Sequence, residues 1–193
     1  MKRICVFCGS QVGTNPLYRQ AAQDLGHLLV QRGSGLVYGG GHVGLMGVIA
    51  DTVLQDGGEV TGVIPEAMVA RELAHRGVTQ LHVVASMHER KARMAELAEA
   101  FIALPGGYGT LEEFFEVVTW AQLGIHHKPI GLLNVAGYFD ALATFVEHTI
   151  AEGFIRPEHR QLIVLAEHPA ALLETLTHHA VPAIQPGLTP REA

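Results

Sequence analysis

Short apolar runs, several of them closed by glycine or proline, alternate along this 193-residue chain with longer amphipathic stretches, and few folds accept such a pattern. The runs at 3–8, 35–39, 59–64, 79–85, 100–104, 129–134 and 161–166 have the length and side-chain content of buried strands. The stretches at 15–32, 43–56, 87–99, 109–123, 138–151 and 168–178 carry apolar residues at helical spacing. Asn15-Pro16 marks the start of the first of them. Alternation of this kind predicts an α/β fold, a Rossmann-like doubly wound parallel sheet with helices on both faces. Residues between Pro65 and the strand near 79 read as irregular. One nucleotide-binding domain is expected over 1–180, with 181–193, which holds three prolines, as a loosely ordered tail.

Ligands of such folds bind beyond the carboxyl ends of the strands. That selects 8–14, 39–47, 65–72, 86–91 and 105–113 for inspection. A net charge of −6 argues against nucleic acid as a partner but leaves room for a small anion at a helix N-terminus. No apolar stretch approaches the length of a membrane span, and the apolar run after Arg3 is too short for a signal peptide, so no membrane partner and a cytoplasmic location are expected. Cys5 and Cys8 have C-x-x-C spacing, yet both fall in a strand where small buried hydrophobes are expected rather than a redox pair. The twelve histidines are scattered without an H-E-x-x-H pattern, and no metal is expected.

Two glycine loops follow strands. Gly39-Gly40-Gly41-His42-Val43-Gly44 fits G-x-G-x-x-G, which alone suggests a dinucleotide site with Glu66 on the ribose. It follows the second strand, however, where the dinucleotide pattern follows the first. A tight turn in which Gly40 and Gly41 form a ligand wall is the favoured reading. The second loop, Pro105-Gly106-Gly107-Tyr108-Gly109-Thr110, is more specific. Its glycines let backbone N–H groups converge ahead of a helix, Thr110 adds a hydroxyl, and phosphate is the natural occupant.

Three charged residues flank that loop. Thr110-Leu111-Glu112-Glu113 has the spacing of a capping box, which spacing alone favours. Against this, an acid beside a phosphate cradle is costly unless it does something, and Glu113 shares a helix face with Val117 and Trp120. Arg90 and Lys91 occupy the inward stripe of the helix at 87–99, in a first turn where both core packing and the helix dipole disfavour cations. Two broken local rules at one place mark function. Glu89, in Ser86-Met87-His88-Glu89, reads as a cap.

Assembled, these segments resemble the LOG ("Lonely guy") family of cytokinin-activating phosphoribohydrolases. The match is Ser86-Met-His-Glu-Arg90-Lys91 followed by Pro105-Gly-Gly-Tyr-Gly-Thr-Leu-Glu-Glu113. Cys8-Gly9-Ser10, Val37 through Gly41, Gly44-Leu45-Met46-Gly47, Thr119 through Gly124 and Gly131 through Asn134 match as well, so that the likeness spans about 3–166. The resemblance implies hydrolysis of the N-glycosidic bond of adenosine-type 5′-monophosphates to free base and ribose 5-phosphate. It implies that Arg90 and Glu113 are the catalytic pair. Ligand contacts carry over to Glu72, Lys91, Gly107 through Thr110, and Thr119, with Gly106 in the same loop. It also implies a homodimer, with no cofactor and no metal. The region 66–80 departs most from the family pattern. Met87, Leu104 and the loop near Gly9 are expected to form an apolar slot for the base. Chemically, a carboxylate near the ribose can stabilise an oxocarbenium-like sugar or activate water. Arg90 can bind phosphate or hold Glu113 ionised.

Similar sequences have been labelled lysine decarboxylases, a reaction that needs a Schiff-base lysine. The lysines are Lys2, Lys91 and Lys128, none in a recognisable cofactor motif. The competing reading is a non-catalytic nucleotide or cofactor carrier, which would need the cradle but not the acid.

Overall fold

The structure is a computed structural model that describes residues 1–69 and 73–182. Seven strands, β1 (Arg3–Phe7), β2 (Gly35–Tyr38), β3 (Val60–Pro65), β4 (Gln80–Val84), β5 (Ala100–Ala103), β6 (Ile130–Leu133) and β7 (Ile163–Ala166), form one sheet. Its order is β4-β3-β2-β1-β5-β6-β7 and every pairing is parallel. The helices are α1 (Pro16–Gln31), α2 (Gly44–Gln55), α3 (Glu66–Val69), α4 (Met87–Leu97), α5 (Tyr108–Gln122), α6 (Asp140–Ala151) and α7 (Pro169–His178). The Rossmann-like doubly wound class read from the alternation is therefore the observed one.

β1 lies at the centre and is covered on both faces, which is why Ile4 to Phe7 are all apolar and all buried. Ile4, Val6 and Cys8 enter the core beneath α1, α2 and α7, whereas Cys5 and Phe7 enter the core beneath α4 and α5. The two cysteines therefore point to opposite sides of one sheet and cannot bridge. Burial pushes both thiols up, out of the reactive range. They are small core side chains, as expected.

The sheet reverses direction of winding at β1. β2 pairs on one side and β5 on the other, with Cys5 in register with both Val37 and Phe101. Connections leaving β1 and β5 diverge there and open a crevice at their carboxyl ends. Close backbone approach shapes its floor. Gly44 has φ +62°, and a Cβ on it would stand 2.2 Å from the carbonyl carbon of Ser10.

Several boundaries differ from the sequence reading. Residues 66–69 form a single helical turn where an irregular stretch was expected. The predicted helix 138–151 starts later, at Asp140, behind a 3₁₀ turn at Val135–Gly137 with Ala136 at φ 52°. The predicted strand 161–166 starts at Ile163, after a 3₁₀ segment. Residues 183–193, most of the expected tail, lie outside the described residues, whereas Val181 packs against the α4–α5 core.

Candidate active site

α4 begins at a well-made cap. The Ser86 hydroxyl accepts from the Glu89 N–H at 3.1 Å, and the Glu89 carboxylate accepts from the Ala85 N–H at 2.8 Å. Glu89 is structural, as read. This start fixes the phase of the helix, so that the next two residues turn inward. Arg90 and Lys91 are 7% and 8% exposed, as deeply buried as core residues.

The Arg90 guanidinium makes three bonds. Nε donates to Val63 O at 3.1 Å, Nη2 to Gly39 O at 3.3 Å, and Nη1 to Glu113 Oε1 at 2.8 Å. The carbonyls come from the carboxyl ends of β3 and β2, and Glu113 comes from α5. Gly39 leaves the room this needs, since a Cβ on it would lie 1.9 Å from Nη2 and the guanidinium would have to move. The first glycine of G-x-G-x-x-G thus makes room for an arginine.

Glu113 is 7% exposed and its other oxygen, Oε2, has no hydrogen-bond partner among the described residues. Burial pushes its carboxyl above the ordinary glutamate range; Arg90 pulls it back, but only partly. The capping-box reading of Thr110 and Glu113 is overturned. α5 starts at Tyr108 with Gly107 as its cap residue, so Glu113 stands in the second turn and faces Arg90 instead of backbone donors. No side chain caps α5, and its first N–H groups are left for a ligand.

Thr110 is buried against the preceding loop; a Cβ on Gly106 would meet its Oγ1 at 2.1 Å. Gly107 and Gly109 face open space, and Tyr108 is 94% exposed. Pro105 O accepts from the Gly9 N–H at 3.1 Å, which ties this loop to the one after β1. Between them lies a cleft of about 300 Å³ at the point where the sheet reverses, lined by Gly9–Gly13, Tyr18, Leu45, Pro105–Gly107 and Tyr138.

Lys91 does not reach this cradle. Its ammonium bonds to Glu112 and, at 2.9 Å, to Glu116. Burial works against its charge, and the two carboxylates more than offset this, holding the lysine firmly protonated. Gly40 and Gly41 are buried beneath the segment at 73–75, through His75 N–H to Gly40 O and the bridge of Gly41 with Ala74; they do not line the cleft, and neither do Arg90 and Glu113. Met87 opens α4 and is 45% exposed, whereas Leu104 is sealed in the core and cannot line a base slot. Thr119 lies on the exposed surface of α5, its hydroxyl donating to Phe115 O, about 13 Å along the helix from Thr110. Glu72 falls outside the described residues.

Glu112, Glu116 and the seat at Gly39 were not read from the sequence as parts of this arrangement. Glu112 and Glu116 did carry a signal, since acids at i and i+4 on α5 can face a single buried cation. Among the described residues no helix is long and apolar enough to cross a membrane.

A family described as "Possible lysine decarboxylase" matches residues 46–176. The described activity has no candidate amine here. Lys91 is held by two carboxylates, Lys128 donates to Ala95 O at 2.6 Å, and Lys2 precedes β1 at the amino end of the sheet, opposite the crevice. Among relatives, the cytokinin riboside 5′-monophosphate phosphoribohydrolase LOG7 of Arabidopsis thaliana is 54% identical over 178 residues, covering 92% of this chain and 82% of that protein. The probable phosphoribohydrolase LOGL2 of Oryza sativa subsp. japonica is 52% identical over 179 residues, 93% of this chain and 73% of its own length. Among solved structures, the molybdenum cofactor carrier protein of Chlamydomonas reinhardtii superposes with a TM-score of 0.70 at 19% identity, over 92% of this chain and 96% of that one, a likeness of fold alone. With more than half of its sequence shared with these plant proteins over nearly its whole length, the chain belongs to the LOG family.

Proposed function

We propose that the protein hydrolyses the N-glycosidic bond of adenosine-type 5′-monophosphates, including N6-substituted cytokinin nucleotides, to free base and ribose 5-phosphate. The observation that carries this reading is the buried Arg90–Glu113 pair beside the uncapped N-terminus of α5. The substrate's phosphate takes the N–H groups of Gly106 to Thr110, where the helix dipole favours an anion. The ribose then extends toward Glu113. As the C1′–N bond lengthens, positive charge grows on the sugar, and the carboxylate stabilises it. Arg90 holds Oε1, which leaves Oε2 to take a proton from the attacking water. The base leaves with the bonding electron pair and takes up the proton that water gave to Glu113, which regenerates the carboxylate, and the hydroxyl of water ends on C1′.

Arg90 and Glu113 are the catalytic pair in this reading, and Arg90 serves by orienting and ionising Glu113. Lys91 acts through Glu112 and Glu116 instead of touching phosphate. The protein works as a homodimer in the cytoplasm. Support for a second copy is α6, which has no buried residue and carries Phe145, 60% exposed, with Phe154, 84% exposed, just beyond its end. Light scattering of the purified protein at twice the monomer mass tests this, and cell fractionation tests the location.

Incubation with AMP and with N6-isopentenyl-AMP, followed by chromatography of the released base, decides the main point. Free adenine or isopentenyladenine is expected. Tight nucleotide binding with no base released from either would favour the carrier reading instead.

A further inference from the structure

The turn between β6 and α6 takes no part in the ion pair, yet it reaches the cradle. Ala136, at φ 52°, is the only residue other than glycine in the left-handed region among the described residues. A residue with a Cβ is unfavourable there, so surrounding structure must hold it. Asn134 supplies the hold. Its buried side chain accepts from the Phe139 N–H at 2.7 Å and donates to Asp140 Oδ1 at 2.7 Å, and its own N–H donates to Ala166 O at 2.8 Å. The turn so fixed delivers Tyr138 to the loop at 105–107. The tyrosine hydroxyl donates to Gly106 O at 2.5 Å, and its ring meets Tyr18 edge-on at 5.5 Å.

A trans peptide carries its C=O and its N–H on opposite sides. The Gly9 N–H holds the carbonyl of Pro105, and Tyr138 holds the carbonyl of Gly106. With both carbonyls fixed, the following N–H groups, those of Gly106 and Gly107, are turned the other way. Neither donates to a protein acceptor among the described residues. A hydrogen bond accepted by the carbonyl also polarises the peptide and strengthens its N–H as a donor.

We propose that Tyr138 is a positioning residue for the phosphate cradle, orienting the Gly106–Gly107 peptide so that its N–H meets the substrate's phosphate, and that the strained turn at Ala136 serves to deliver it. This rests on the reading of loop 105–110 as the phosphate seat. Tyr138 acts on the loop and not on the reacting atoms, so its contribution belongs to binding of the 5′-phosphate and not to bond cleavage.

The test is Tyr138→Phe, which keeps the ring and the turn and removes only the hydroxyl. Inorganic phosphate is titrated by calorimetry into the unaltered protein and the variant, and kcat, KM for AMP and Tm are measured on both. One lost hydrogen bond is expected to raise the phosphate Kd and the AMP KM together, by about 3- to 10-fold. kcat should change less than about twofold and Tm by less than about 2 °C, which a merely structural role would not produce. An unchanged phosphate Kd in the variant overturns the proposal, whatever happens to kcat. If the unaltered protein binds no phosphate, the phosphate-seat reading itself fails and this proposal with it, so the two failures are told apart by which protein shows them.

Discussion

Gly39→Ala tests whether the glycine after β2 exists to seat Arg90. The added methyl would stand 1.9 Å from Nη2 and 3.1 Å from Cζ, so the guanidinium must retreat by about 1.5 Å to reach ordinary contact. It has no free direction, being buried and bonded to Val63 O, Gly39 O and Glu113 at once. Retreat breaks the Gly39 bond and misaligns the pair with Glu113. A charge-assisted hydrogen bond is worth about 1.5–3 kcal/mol, and complete rupture of a buried pair costs about 3–5 kcal/mol. A loss of about 2–4 kcal/mol is therefore expected. For a chain of this size that corresponds to a fall in Tm of roughly 5–15 °C, read by calorimetry. Base release from AMP should drop by at least about 100-fold, because a misplacement near 1 Å at a reacting group has that effect. A Tm within about 2 °C of the parent, together with kcat/KM within about threefold, would refute the reasoning, since the arginine would then have moved aside at no cost.

Glu113→Gln keeps the shape and loses the charge. It is expected to lower kcat by at least about 1,000-fold while AMP still binds by calorimetry, and surviving turnover would remove Glu113 from the chemistry. Lys91→Met takes away a positive charge that lowers the Glu113 pKa and leaves the neighbouring Glu112 uncompensated. Glu113 is needed ionised, so the acid limb of the log kcat/KM profile should move to higher pH; an unmoved limb rules out this coupling. His126 is held neutral by burial, its pKa lowered to about 4, with Nε2 donating to Val117 O and Nδ1 accepting from the Lys128 N–H. A depressed histidine gives stability that is complete above its unfolded pKa of about 6.5 and is lost as pH falls toward 4, here about 2–3 kcal/mol. His126→Gln should flatten Tm against pH across that window, and an identical acid slope in the variant would refute it.

The fold was legible because α/β chains write their architecture locally. The strands are short and mostly apolar, β1, β2, β3 and β5 run into glycine or proline, and every helix but the short α3 announces itself by spacing, as Asn15-Pro16 does at α1. Arg90 was legible for the opposite reason, as a cation where the helix period demanded a core residue. Partners are another matter. Lys91 broke the same rule as Arg90, but the phase that sends one toward Glu113 and the other toward Glu112 and Glu116 depends on how α4 lies across α5. The cap reading of Glu113 failed over where α5 begins. A start at Tyr108 and not at Thr110 turns a capping residue into an inward-facing one. Tyr138 carried no local sign at all, since its reach to Gly106 depends on a left-handed alanine that propensity argues against.

The central place of β1 has a consequence for biosynthesis. The chain builds outward from β1 through β2, β3 and β4, then returns across the sheet to β5 on the other flank. Arg90 and the carbonyls that hold it emerge from the ribosome before the cradle and Glu113 do. At about 5–20 residues per second the acid follows the arginine by roughly 1–5 s. Throughout that interval the nascent protein owns a sheet half and an unanswered cation, and has no means of attacking a nucleotide. The return of the chain to β1 as β5, followed by α5, thus brings the acid to its cation while β6 and β7 are still to be added, so that a chain ended before α5 lacks the partner of Arg90.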